Sequence, residues 1–307
     1  MDTLNTAFRE YIKNAISLSK APSVVTDDNV YQEGADDILP YLDKMVEELL
    51  LPGSGVDGLT NLEELYAKAE EGKSCLLLPE HYSNLDLSII SYLIRKAGGR
   101  GKEIGRSIIA IAGMKLTEES PVVSAFASAY TRIVIYPSRS MRGLDEEKYA
   151  AERSRGNAIN RAAMKALTQV KNTGRLVLIF PSGTRYRPGD PSTKRGVREV
   201  DSYIKSFDYM CFVGINGEIL HIKYGDMMED AVSKDVVRVS VSPVISCEEF
   251  RGKIRAEIDE KAKTQDDDTS SREDKKQAVA DALMAELEKM HIEGEKQREQ
   301  FLQQLSK

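Results

Sequence analysis

Two short stretches of this 307-residue chain gather side chains able to move a proton and to hold an anion. The first, LeuLeuLeuProGluHisTyrSerAsnLeuAsp, sets His81 and Asp86 five residues apart behind an apolar run. An imidazole with an ordinary pKa of about 6.5 suits a general base near neutrality. A carboxylate close by fixes its tautomer and favours the imidazolium formed during proton transfer. The second stretch, LeuValLeuIlePheProSerGlyThrArgTyrArgProGly, puts Ser182, Gly183, Arg185 and Arg187 in a loop directly after another apolar run. Guanidinium groups there can meet a phosphate through charge-assisted hydrogen bonds of about 1.5–3 kcal/mol each.

Other chemistries find no support. A seryl nucleophile needs Gly-x-Ser-x-Gly, and PheProSerGlyThr lacks the leading glycine. The economical role for His81 is therefore direct deprotonation of a substrate hydroxyl; its bland alternative is a histidine hydrogen-bonded into the start of a helix. The phosphate-binding pattern GxxxxGK[ST] does not occur; ATP and NAD are poor candidates and no cofactor is expected. Cys75, Cys211 and Cys247 form no CxxC pair, and His81, His221 and His291 show no ligand spacing, so no metal site is expected. Reduced thiols fit a reducing compartment.

Charge is distributed unevenly. The net charge is −6, yet residues 1–74 hold 6 basic and 15 acidic side chains while residues 132–198 hold 15 basic and 5 acidic. A local excess of positive charge on this scale attracts anions. Arg153, Arg155, Arg161 and Lys165 share a helical stretch and serve equally well as a solvated face; the Gly/Pro-rich loop carrying Arg185 and Arg187 suits a binding role better.

These loops must be carried by an α/β frame. Short apolar runs at 75–78, 107–112, 132–136, 175–180, 209–214 and 236–241 alternate with helical stretches at 62–69, 84–97 and 154–172, the last closed by Gly174. Ser120-Pro121 starts another helix as cap and first residue. This alternation predicts an α/β domain over 56–262 with a mixed or largely parallel sheet flanked by helices. Before it, Phe8, Tyr11, Ile12, Ala15 and Ile16, and then Ile38 to Leu50, mark amphipathic helices of a small acidic N-terminal helical domain, 1–55, read as a packing appendage. After it, 263–307 reads as a polar linker at 265–272 and a C-terminal amphipathic helix spaced by Val279, Leu283, Leu287 and Met290. With 41% apolar and 30% charged residues the composition is that of a soluble globular chain. No apolar run approaches the roughly 20 residues of a membrane span. The opening MDTLNTAFRE is too polar for a signal peptide, so a cytoplasmic protein is expected.

In order along the chain, HYSNLD at 81–86, FPSGTR at 180–185 and SVSPVI at 240–245 resemble the shared blocks of the glycerolipid acyltransferases. PSGTRYRPGD at 181–190 is similar to the extended third block of the soluble, plastid-type glycerol-3-phosphate acyltransferases, and RIVIYPSRSM at 132–141 to the strand before their basic phosphate-binding turn. The likeness runs from about residue 60 to 260. It implies transfer of a fatty acyl group from acyl-carrier protein or coenzyme A to the sn-1 hydroxyl of glycerol 3-phosphate. His81 would then be the base, Asp86 its orienting partner, and Arg139, Arg185 and Arg187 the phosphate ligands, with Ser182 and Gly183 shaping the loop. Where the family's basic turn carries Lys-His, this chain has Arg139 and Ser140, and Ser140 cannot replace an imidazole. Ser182 stands where much of the wider superfamily has Glu, as in the plastid-type proteins.

A thioester is already activated, so neither covalent intermediate nor metal is required. Met114, Leu116, Val122, Val123 and Phe126 are candidates for an acyl groove, although the last three fit a core helix better. Rival functions are acylation of lysophosphatidate at sn-2 and a non-catalytic phospholipid-headgroup binding domain. Nucleic acid is disfavoured: the chain has no Trp and 7% aromatics. The expected setting is cytoplasmic, with peripheral membrane contact allowed, or the plastid stroma for a plant-like source.

Overall fold

Five of the apolar runs become the parallel centre of one sheet. The computed structural model describes residues 1–118, 120–141, 145–223, 227–264 and 272–305. The chain opens with α1 (Leu4–Leu18), β1 (Tyr31–Gln32), α2 (Leu39–Leu49) and β2 (Gly55–Asp57). It continues through α3 (Leu59–Glu70), β3 (Cys75–Pro79), α4 (Asp86–Lys96), α5 (Gly101–Ser107) and β4 (Ile108–Gly113). Next come α6 (Lys115–Glu118), α7 (Pro121–Ser128), β5 (Arg132–Ile135), α8 (Glu146–Val170) and β6 (Leu176–Leu178). Then follow α9 (Val200–Ser206), β7 (Tyr209–Asn216), β8 (Leu220–His221), β9 (Ala231–Val232) and β10 (Arg238–Val241). The final elements are β11 (Ile245–Ser246), α10 (Cys247–Thr264) and α11 (Arg272–Leu305).

The main sheet has the order β1-β5-β4-β6-β3-β7-β10-β2, with β11 also on β7. From β5 across to β7 every pairing is parallel; β1, β10 and β11 add antiparallel partners, and β2 runs parallel to β10. The fold is thus α/β with a mixed, mostly parallel sheet flanked by helices, as the alternation of runs and helices implies. β3 shows why its run is continuous rather than alternating. Cys75 and Leu77 face one core with Leu4, Leu42, Leu62, Ile89 and Phe126, while Leu76 and Leu78 face a second with Ile159, Ile204, Cys247 and Leu283. A strand covered on both faces must be apolar at every position.

One topological detail positions the chemistry. β6 lies beside β3 in parallel, with Leu77 paired to Leu178, although about a hundred residues separate them in the chain. The loops leaving both strands therefore emerge side by side at the carboxyl edge of the sheet, where α/β folds bind ligands.

Some elements differ from the sequence reading. α8 begins at Glu146, capped by the Asp145 side chain on Lys148 N at 2.9 Å, eight residues before the expected Ser154. Its first two turns, GluGluLysTyrAlaAlaGluArg, carry no apolar period to betray them. Ser120 caps α7 with Pro121 at its first position, as expected. Of the expected linker only Arg272, the first residue of α11, is among the described residues.

Candidate active site

His81 leaves the end of β3, and Asp86 is the first residue of α4. The Asp86 carboxylate is almost fully buried and closes the intervening turn on itself. Its Oδ2 accepts hydrogen bonds from Tyr82 N at 2.5 Å and Ser83 N at 2.9 Å, and its Oδ1 from Ser83 Oγ at 2.7 Å. His81 Nδ1 lies 2.9 Å from the same Oδ2. A carboxylate held by three donors is an acceptor, so Nδ1 carries the proton and Nε2 keeps its lone pair. The sequence spacing thus becomes an oriented dyad, with the start of α4 adding the favourable end of a helix dipole to Asp86.

The loop after β6 packs directly on that dyad. The Phe180 ring stacks on the His81 imidazole, centroids 4.0 Å apart at 22°, and Tyr186 N donates to His81 O at 2.7 Å. Ser182 is buried; its Oγ donates to Thr184 O at 2.7 Å, and its carbonyl accepts from Arg139 Nη2 at 2.9 Å. Gly183 sits at φ +59°, and a side chain there would strike the same guanidinium. Ser182 and Gly183 therefore seat Arg139 against the loop. Ser140 turns elsewhere: it lines a separate cleft with Lys148 and Arg155.

Arg185 is partly buried and lies 3.8 Å from the Asp230 carboxylate. Desolvation holds its pKa below the ordinary arginine value, against the pull of Asp230, and the neighbouring Arg187 pushes the same way. It remains a cation at any physiological pH. Arg187 projects into solvent from a turn fixed by Arg187 N donating to Thr193 Oγ1 at 2.9 Å. All seven residues singled out from the sequence thus belong to the paired loops after β3 and β6 and the turn after β5.

An apolar cleft of about 660 Å³, counting its open mouth, starts at His81 and Phe180. Leu116 lines it, and so do Val123 and Phe126, for which the sequence favoured a core role that both also fill. Val122 packs into the core instead, and Met114 joins the core on the other face of the sheet. The cleft exists because β4 presents Ala110 and Ala112 to it where larger side chains would fill the space. The sequence reading missed Tyr130 and Arg132 as lining residues. It also missed a cluster on the opposite side of His81. Buried Glu80 accepts from Tyr82 Oη at 2.7 Å and Ile215 N at 2.8 Å, with His291 Nδ1 of α11 at 3.1 Å. That hydrogen bond to Glu80 raises the His291 pKa above the ordinary 6.5, against desolvation. A pairing across more than two hundred residues leaves no local signal. Among the described residues no three His, Cys, Asp or Glu side chains are grouped to hold a metal ion, and no helix is long and apolar enough to cross a membrane.

A dyad with a free imidazole nitrogen, an apolar cleft opening at it and arginines beside it form the kind of site that acyl transfer uses, and comparison with known proteins agrees. The family model described as Acyltransferase matches residues 56–225, and the chain belongs to that family. It is similar to the chloroplastic glycerol-3-phosphate acyltransferase of Arabidopsis thaliana, 28% identical over 140 residues, covering 46% of this chain and 28% of that protein. The Spinacia oleracea enzyme of the same name is 24% identical over 158 residues, covering 52% of this chain and 30% of the relative. The chain matches under a third of the length of these relatives.

Proposed function

We propose that this chain transfers a fatty acyl group from a thioester of acyl-carrier protein or coenzyme A to the sn-1 hydroxyl of glycerol 3-phosphate, giving lysophosphatidate. The observation that carries the reading is the His81–Asp86 dyad at 2.9 Å, set between an apolar cleft and an arginine-bearing loop. The cleft takes the acyl chain and brings the thioester carbonyl to His81. Arg139, Arg185 and Arg187 hold the phosphate, which sets the glycerol hydroxyl beside the imidazole. His81 Nε2 takes the hydroxyl proton as the oxygen attacks the carbonyl carbon, and Asp86 stabilises the resulting imidazolium. The tetrahedral intermediate then collapses with loss of the thiolate, which recovers the proton from His81. Ester and thiol form; hydroxyl and thioester are consumed. The resemblance to chloroplastic glycerol-3-phosphate acyltransferases supports the acceptor, and a cytoplasmic or stromal setting with peripheral access to membrane lipid fits the reading.

The test is acyl transfer by purified protein from palmitoyl-coenzyme A or palmitoyl-carrier protein to labelled glycerol 3-phosphate, beside His81→Ala. Lysophosphatidate should form with the wild type and fall by at least about 10²-fold in the variant. Absence of product with both donors, together with acylation of added lysophosphatidate, would reassign the acceptor to the sn-2 step. Phosphate binding without transfer to any acceptor would leave a headgroup-binding protein.

A further inference from the structure

The apolar cleft does not end in apolar side chains. Arg132, the first residue of β5, is 2% exposed yet lines the cleft. Its Nη1 donates to Ala127 O at 2.7 Å at the end of α7, while Nε is buried with no hydrogen-bond partner. Among the described residues no carboxylate pairs with it. Burial alone pulls its pKa down to about 10, so it stays charged near neutrality. Beside it in the cleft, the buried Tyr130 hydroxyl faces Ser88 without a well-formed hydrogen bond.

Strand register locates this group relative to the dyad. Arg132 pairs with Ala110, which pairs with Leu178, two residues before the Phe180 that stacks on His81. Two strand spacings and two residues of rise separate Arg132 from Phe180 along the sheet, on the order of 12 Å. Arg132 therefore enters the cleft two strands away from the one that leads to Phe180, with its guanidinium held at the end of α7 rather than on the loop of Arg185 and Arg187. A saturated chain reaching it would press methyl groups against a donor that needs an acceptor, and a buried unmet donor is costly. A chain ending in an oxygen acceptor would satisfy it.

We propose that Arg132, with the Tyr130 hydroxyl, makes the inner end of the cleft a polar subsite that selects acyl groups bearing an oxygen function at their far end. This rests on the acyl-transfer reading for the direction in which the chain enters. An alternative role for Arg132, holding the carbonyl end of α7, affects stability alone and not the choice of chain.

The experiment compares decanoyl- and ω-hydroxydecanoyl-coenzyme A, and the dodecanoyl pair, as donors for the whole 307-residue chain. Calorimetric binding of the corresponding non-reactive S-alkyl thioethers runs in parallel. In at least one pair the ω-hydroxy donor should be favoured by about tenfold or more in kcat/KM, with the same preference in binding. Arg132→Met should abolish or invert that preference, and Arg132→Lys, which keeps the charge, should retain part of it. Equal or weaker use of the ω-hydroxy chains by the wild type at both lengths overturns the subsite whether or not the variants fold. So does a preference that survives intact in a folded Arg132→Met. Discrimination between the thioethers without transfer from either thioester would sink the acyl-transfer reading and leave the subsite standing.

Discussion

Each of the central side chains has a task that follows from what it touches. Asp86 acts on His81 as an acceptor, so replacing it by an amide removes the reason for the proton to stay on Nδ1. Asp86→Asn should lower kcat for acyl transfer by at least about 10²-fold with little change in the KM for glycerol 3-phosphate. An unchanged kcat would show that the dyad is structural. Gly183 is constrained twice over, by its φ of +59° and by the Arg139 guanidinium lying where a side chain would start. Gly183→Ala should destabilise the protein by more than about 1 kcal/mol in chemical denaturation and displace Arg139. A variant as stable as the wild type would mean that the loop has slack. At this scale the sequence was informative. His81, Asp86, Arg185 and Arg187 could be chosen from type and spacing because a short loop after a strand keeps its residues together. Arg132 could not. In the sequence it is one more member of a basic stretch, and its burial depends on β5 lying between β1 and β4.

Among the elements, α11 reaches the site through His291, whose imidazole contacts Glu80, the residue before His81, as well as Tyr82. Glu80 raises its pKa, desolvation opposes, Lys194 lowers it and Glu288 raises it. A histidine whose folded pKa exceeds the ordinary 6.5 binds its proton more tightly in the fold. Its stabilising contribution is complete below the unfolded value and is lost as pH rises through the folded one. Hydrogen exchange along α11 should therefore be slowest on the acidic side of that window and quicken above it, and His291→Gln should remove the difference. Exchange independent of pH, after correction for intrinsic rates, would dismiss the contact as inert. The helix itself was expected from the spacing of Val279, Leu283 and Leu287, all of which are buried. Others were not. α10 and the first turns of α8 are mostly polar, and β1, β8, β9 and β11 are two residues each, too short for any period. Such elements are imposed by neighbours rather than by their own pattern.

For the whole molecule, the positive stretch at 132–198 meets an otherwise acidic chain, and its loop arginines stand at the site. Under the proposed function, the KM for glycerol 3-phosphate should rise with ionic strength over the range where the Debye length falls from about 10 Å towards 3 Å, while kcat stays nearly constant. A salt-independent KM would place phosphate recognition in buried contacts alone. The N-terminal segment also reaches further than an acidic appendage need do. α1 and α2 share a core with α4 and α7, and β1 and β2 pair at opposite edges of the sheet. By itself the sequence determined the α/β class, the central strands and which side chains the two loops gather, because hydrophobic period and turn residues act over a few neighbours. It also determined the likeness to acyltransferases, since that rests on the same local blocks. Only the tertiary structure decided that β6 lies beside β3, that Ala110 and Ala112 leave a cleft open at His81, and that the buried Arg132 lines it. Those features depend on which distant segments share a sheet, and pairings that span a hundred residues or more are selected by the collective burial of both sheet faces, which no short window of sequence records.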